Sequence, residues 1–264
     1  MSLTGKSLSG SYKDILQVDN SNNGVTTSVK TVKDGEGTSS CLAISDDLLR
    51  IVPQNDDGGS TLEVRTNSGT QVLAVDTTNQ LVTASGNYVN TQYSHFNATN
   101  TLTANFVDDT HHALPFMSGN HGSASAGHIP AFGTSTDPAT TFTTADANGT
   151  RASDIVAVMW FVPDAISIDS VTSFEGADTA TGDTTRMHLF SYDFTSGSTS
   201  ALTSGTLLAH NSDTTNAGSE QAYKSSWTVD SASVAAGKVI LAFFRSDSIN
   251  SDYSINIIVK YHLT

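Results

Sequence analysis

The chain has 264 residues, with 12 Lys and Arg against 26 Asp and Glu and a formal net charge of -14 at pH 7. The length allows one large β domain or two smaller ones with separate cores, and the charge excludes a phosphate-backbone binder, which needs clustered cations, so nucleic acid is not an expected partner. No run approaches the ~20 apolar residues that cross a bilayer, and the opening TGKSLSGSYKD has no apolar signal-peptide core, so no membrane insertion and no Sec-type export are expected.

About a quarter of the residues are Ser or Thr, and long runs rich in Ala, Glu, Lys and Leu are absent, which predicts an all-β protein with many turns. The first region, 1–94, reads as short strands over Asp14 to Val18, Thr26 to Val32, Ser40 to Ser45, Leu48 to Val52, Thr61 to Arg65, Gln71 to Val75 and Gln80 to Thr83. Turn signals separate them at Asn22-Asn23-Gly24, Lys33-Asp34-Gly35, Asn55-Asp56-Asp57-Gly58-Gly59 and Asn67-Ser68-Gly69. Cys41 is the single cysteine, so no intrachain disulfide can form; beside Leu42 and Ile44 it reads as a small buried apolar residue.

Two stretches of this region resemble each other. Leu16-Gln17-Val18-Asp19 followed by Asn20 to Thr27 parallels Leu73-Ala74-Val75-Asp76 followed by Thr77 to Ala84. Leu62 and Val64, and Leu73 and Val75, lie two apart and share one strand face, with Glu63, Arg65 and Ala74 on the other. A face this narrow cannot hold an isolated hairpin together in water. Leu16, Val18, Leu62, Val64, Leu73 and Val75 are therefore the expected assembly interface, and another copy of the chain is the expected cover.

The second region, 95–264, opens on spaced apolar residues from Asn97 to Phe106. It then enters a Gly/Ser/His/Pro-rich stretch within 107–150, expected to be a surface excursion or a subunit-contacting arm. Between Arg65 and Arg151 there is no Lys or Arg, while Asp76, Asp108, Asp109, Asp137 and Asp146 fall inside, which predicts an uncompensated acidic surface or a cation site. Strands follow at Ile155 to Phe161, Ile166 to Ser173, Thr185 to Phe194, Thr206 to His210, Tyr223 to Val229, Val239 to Arg245 and Ser254 to His262. Richer in aromatic residues, they predict an antiparallel β-sandwich of jelly-roll type.

Catalytic motifs are missing: the chain has no GxSxG, HExxH, phosphate-binding loop or Cys/His zinc spacing, and no enzyme and no cofactor is expected. His95, His111, His112, His121 and His128, near Asp108 and Asp109, are the metal candidates, because imidazole with carboxylate suits borderline metals. They read as polar loop residues, and no metal ligand is assigned. The adjacent pairs Asp108-Asp109 and Asp56-Asp57 point to opposite faces if extended and cannot flank one glycosidic bond. Tyr88, Tyr93, Tyr192, Tyr223, Trp227 and Tyr253 are the candidate platforms for stacking on a sugar ring.

The segments EVRTNSG and VLAVDTTNQLVTA, inside Thr61 to Ala84, resemble the repeat of trimeric fibre and appendage proteins of tailed bacteriophages. The opening KSLSGSYKDILQVDNSNNGVTTSVKTVKDGEGTSS is similar to the N-terminal region of structural proteins of marine phages. The segments IVAVMWFVPDAISIDSVTSFEGADTATGDTTRMHLFSYDF and GKVILAFFRSDSINSDYSINIIVKYHL are similar to β-sandwich modules joined to such N-termini. The resemblance implies a virion protein at the particle surface. It would be a homotrimer whose slender, intertwined N-terminal β domain docks on capsid or tail proteins and whose sandwich faces the host and its surface glycans. A capsid decoration protein is the alternative within this class; a polysaccharide-degrading tailspike and a lectin-like adhesin are the alternatives outside it.

Overall fold

The computed structural model describes residues 15–21, 23–55, 60–117, 129–177, 181–218, 220–248 and 253–264. The chain is all-β, its sheets are antiparallel, and it forms two compact units, Met1–Val89 and Asn90–Thr264. The boundary falls ahead of the expected 94/95 for a physical reason. Residues 91–98 are one strand, hydrogen-bonded along its whole length to the last strand of the second unit.

The first unit has two four-stranded sheets. One is the run β1 (Gln17–Val18), β2 (Lys30–Lys33), β3 (Ser39–Ile44), β4 (Leu49–Ile51), and the other is β5 (Leu62–Arg65), β6 (Gln71–Asp76), β7 (Leu81–Ala84), β8 (Asn87–Tyr88). All seven expected strands form, the first two shortened, and β8 is an addition. Turn chemistry sets the connections. Asp34 Oδ1 accepts the N–H groups of Glu36 and Thr38, while Gly69, at φ +88°, closes the β5–β6 turn with its N–H on the Thr66 carbonyl. The internal likeness holds in part: β6 enters a short turn in which the Asp76 carboxylate holds Asn79, but after β1 the chain runs to Lys30 before the next strand. Asn22 and the Asp56-Asp57-Gly58-Gly59 turn lie outside the described residues.

In the second unit β9 (Thr91–Ala98) leads through a one-turn helix α1 (Asn100–Thr103) to β10 (His112–Ala113). A second short helix, α2 (Ala152–Val156), precedes β11 (Trp160–Phe161). Then come β12 (Ile166–Ala177), β13 (Thr184–Phe194), β14 (Leu202–His210), β15 (Thr214–Thr215), β16 (Gln221–Ser226), β17 (Thr228–Val229), β18 (Ser233–Val234), β19 (Lys238–Ser246) and β20 (Tyr253–Leu263). They make two sheets. The larger runs β10-β19-β13-β14-β17 with β11 and β15 alongside, and the smaller runs β16-β12-β20-β9 with β18 alongside. The pairing is nested: β9 with β20, β10 with β19, β12 with β16, β13 with β14.

One core lies between these sheets, with Phe96, Val171, Ile257 and Val259 from the smaller and Met187, Leu189, Ile240 and Phe244 from the larger. A second core covers the other face of the larger sheet. There Phe190, Tyr192, Leu241 and Phe243 meet Phe132, Phe142, Ile155 and Val158 from the preceding segment. The expected surface excursion holds in part: most of residues 131–142 is exposed, but the buried Phe132 and Phe142 pin the segment to this second face of the sheet as a lid. β19 explains why, since VILAFF alternates two sets of apolar side chains and both faces need cover.

The expected strand from Ile155 to Phe161 is also corrected. Asp154 accepts the N–H groups of Gly149 and Arg151, setting a helical turn that buries Ile155 and Val158, three apart, in the second core. Only Trp160 and Phe161 continue as strand, paired with β19.

The lid is fastened by polar contacts. The Tyr192 hydroxyl donates to the Ala139 carbonyl at 2.8 Å, and the Gly205 N–H donates to the Thr140 carbonyl at 2.9 Å. A Cβ on Gly205 would lie 2.6 Å from the Tyr192 ring and 2.7 Å from Thr140 Cα, so glycine is required by close approach. Gly205→Ala is expected to destabilise the second unit by roughly 1–3 kcal/mol in urea unfolding. An unchanged midpoint would mean that the lid does not pack on β14.

Candidate functional site

The second sheet of the first unit brings together four of the six expected interface residues. Leu62 lies opposite Val75 and Val64 opposite Leu73, so all four share one face, and Val82 opposite Val75 and Ala84 opposite Leu73 extend it across β7. Val82 and Ala84 were missed, although their two-residue spacing marks them. Val18 belongs to the other sheet, where it lies opposite Val32, and Leu16, 68% exposed, precedes that sheet's first strand. That sheet has an apolar face of its own in the pairs Leu42–Ile51 and Ile44–Leu49. Cys41 is exposed, contrary to expectation, because alternation along β3 puts it on the opposite face from Leu42 and Ile44.

These faces are only partly covered, with Leu42, Ile44, Leu73, Val75 and Val82 half-buried. Among the described residues up to Val89, Ala74 is the one buried apolar side chain, while Leu49, Val52, Leu62 and Val64 are exposed. Two sheets of short strands with a single buried apolar side chain lack the burial that sustains a folded domain.

The histidine candidates do not converge. His111 and His112 sit next to each other and point to opposite sides: His112 stacks on Phe106 with ring centroids 4.4 Å apart, and His111 meets His188 edge-on at 5.0 Å. His95 is on β9, and His121 and His128 lie outside the described residues. No group of three His, Cys, Asp or Glu is placed to hold a metal among the described residues. The acidic middle is compensated in part, since Asp109 pairs with Arg245 at 2.6 Å and Asp146 lies 3.6 Å from Arg151. Of the sugar-platform candidates, Tyr192, Trp227 and Tyr253 are core residues, and Tyr223 bonds Asn216; Tyr93 is exposed on β9 and Tyr88 half-buried.

A polar site absent from the sequence reading sits on the lid side of the larger sheet, where the second core ends. The β13–β14 register places His188 opposite His210, and with Arg186, Asn211, Asp213 and the lid residue Asp137 they line an open pocket of about 320 Å³. Arg186 clamps Asp213 with Nε to Oδ1 at 2.7 Å and Nη2 to Oδ2 at 2.6 Å, which holds the Asp213 carboxyl below its usual range. His188 Nε2 lies 3.4 Å from Asp137 Oδ1, and His210 Nδ1 lies 2.8 Å from Asp230. These residues are far apart in sequence, and only strand register reveals them.

Burial keeps three histidines neutral. The pKa values of His111, His112 and His188 fall from 6.5 to about 4, first through desolvation, then for His111 through the nearby His188 and for His188 through Arg186. For His112 the bond from the Val107 N–H to Nε2, at 2.9 Å, also needs the lone pair of a neutral ring. Folded-state values below the unfolded ones mean that their stability contribution is full above pH 6.5 and is lost as pH falls toward 4, roughly 3 kcal/mol for each ring taken alone. Glu175 opposes this. Its buried carboxyl, held by the Thr185 hydroxyl, has a raised pKa, so its contribution is lost as pH rises above 4.5. Three rings outweigh one carboxyl. Unfolding stability is expected to drop by several kcal/mol from pH 7 to pH 4, and a flat profile in urea titrations would contradict the buried neutral rings.

No protein-family model matches the chain, and no curated protein matches it.

Proposed function

We propose that the chain is a non-enzymatic structural protein of a tailed bacteriophage virion, a homotrimeric surface appendage. On this reading its N-terminal unit joins three copies and docks on capsid or tail proteins, and its C-terminal sandwich, of jelly-roll type, faces outward toward the host. One observation carries the assembly role: strands β1 to β8 present apolar faces while Ala74 is the one buried apolar side chain among the described residues up to Val89. Burial on other copies supplies what the single chain lacks, at about 25 cal/mol per Å² of apolar surface. A three-fold arrangement lets each copy add a narrow stripe to a shared core, and its closed symmetry stops further growth.

Two further features support the reading. The nested pairs β9–β20, β10–β19, β12–β16 and β13–β14 are what a long four-pair hairpin gives when rolled into two sheets, which favours a jelly roll over other sandwiches. The resemblance of Thr61 to Ala84 to phage fibre repeats supplies the virion context.

Light scattering on the purified full chain is expected to give three times the 27.7 kDa chain mass; a stable monomer would overturn the trimer. Leu73→Asp is expected to shift the protein to monomers, because a charge in a dry interface is costly. Ser68→Asp, in the exposed β5–β6 turn, is the control and should leave the mass unchanged. Antibodies against the sandwich should label intact particles, and failure to label them would remove the surface role.

A further inference from the structure

The outer faces of the two sheets in the second unit differ. A lid covers that of the larger sheet, whereas no layer lies over that of the smaller among the described residues of the unit. Along β12 and β20 buried side chains alternate with accessible ones. Strand register fixes what this open face carries. Lys224, Phe174, Asn256 and Asn97 form one row across β16, β12, β20 and β9. Thr172, Ile258 and His95 form the next row, and Lys260 beside Tyr93 the one after. Phe174 is 45% exposed on an interior strand and Tyr93 is 58% exposed on β9. Two aromatic rings thus stand on one surface, about 14 Å apart along the strands and about 10 Å across them.

Charge sets this face apart from the rest of the chain. The 264 residues include 12 Lys and Arg against 26 Asp and Glu, yet these rows hold Lys224 and Lys260 and no carboxylate. The acids of the four strands lie elsewhere: Glu175 is buried in the interior, and Asp169, at the end of the face, is paired with His262 at 2.8 Å. A negatively charged ligand is therefore complementary to this surface. Nucleic acid is excluded, because two lysines neutralise too few phosphates. An added polypeptide strand finds no partner on the face, since β12 and β20 are interior strands whose backbone groups are used within the sheet. Between Phe174 and Tyr93 stand Thr172, Asn256 and Lys260, with Ile258 the one aliphatic side chain, so the apolar centre of a protein–protein interface is missing too. An acidic sugar chain matches every group. The C–H faces of its rings pack on aromatic rings, its hydroxyls bond amides, and its carboxylates meet ammonium groups.

We propose that the open face of the smaller sheet binds an anionic polysaccharide, with Phe174 and Tyr93 stacking on its rings, Asn97 and Asn256 bonding its hydroxyls, and Lys224 and Lys260 meeting its carboxylates. This binding deepens the outward-facing role proposed above and rests on it for the source of the glycan. The residues belong to one chain and one unit, so loss of the trimer would leave the site standing.

Biolayer interferometry on the full chain at pH 7 tests it. Immobilised polygalacturonate, alginate, hyaluronate and polysialic acid are the probes, dextran is the neutral control, and polyglutamate is the polyanion without rings. At least one acidic polysaccharide is expected to bind, and to bind more weakly as NaCl rises from about 0.05 to about 0.5 M. Its affinity should fall roughly fivefold or more in Phe174→Ala and in Lys224→Glu. Lys224 is exposed on the edge strand β16, so its variant serves if the first misfolds. Binding of polyglutamate or dextran as tight as that of the best acidic polysaccharide, affinity unchanged in both variants, or no binding of any of the four would each overturn the proposal. A chain that binds polysaccharide while antibodies fail to label particles keeps this site and loses the surface role; labelled particles with no binding lose the site alone.

Discussion

Strand β19 carries Val239, Leu241 and Phe243 on one side and Ile240, Ala242 and Phe244 on the other, and a sheet built around it must be covered twice. The smaller sheet covers one face. The other is covered by an irregular segment that, among the described residues, contributes only isolated bridges, Ala131 to His112 and Phe142 to Leu202. That need explains why Phe132, Phe142, Ile155 and Val158 are buried in a stretch full of Gly, Ser and Thr. It also places the polar pocket, which lies where lid and sheet still meet but the apolar side chains have run out.

The two units keep their shape by different means. In the second, packing between sheets and beneath the lid is dense, and backbone ladders are long, with β12 and β20 paired from Ile166–Leu263 to Ala177–Tyr253. In the first, local chemistry does most of the shaping: Asp34, Ser45, Thr66 and Asp76 side chains each hold a turn, and the strands between them are short. Turns set register, but they bury little. The first unit is thus well specified in geometry and poor in apolar burial.

Much of this was legible in the sequence, for identifiable reasons. Two-residue alternation placed β5, β6 and β7 and the shared face of Leu62, Val64, Leu73 and Val75, because period two is a property of the strand itself. Length and aromatic content located β12, β13, β19 and β20 to within a few residues. The failures were tertiary. The apolar run IVAVMWF looks the same as helix or strand until Asp154 is seen to hold the turn, and the lid looks like a surface loop until β19 is read as apolar on both sides. Cys41 was placed on the wrong face because its neighbours' hydrophobicity was read without their alternation. The pocket was invisible, because Asp137, His188 and Asn211 come together only through the lid and the β13–β14 register.

A unit with so little core of its own also changes how the chain reaches its final state. The sandwich makes its contacts within one chain and can form at any dilution, whereas N-terminal strands that bury their faces on sister copies order only when chains meet. In such a trimer the N-terminal unit would settle after the sandwich, and its folding rate would depend on chain concentration. For the proposed trimer, local abundance would thereby become part of the folding reaction, and the exposed faces of Leu62 and Val64 would be a liability only while a chain is alone.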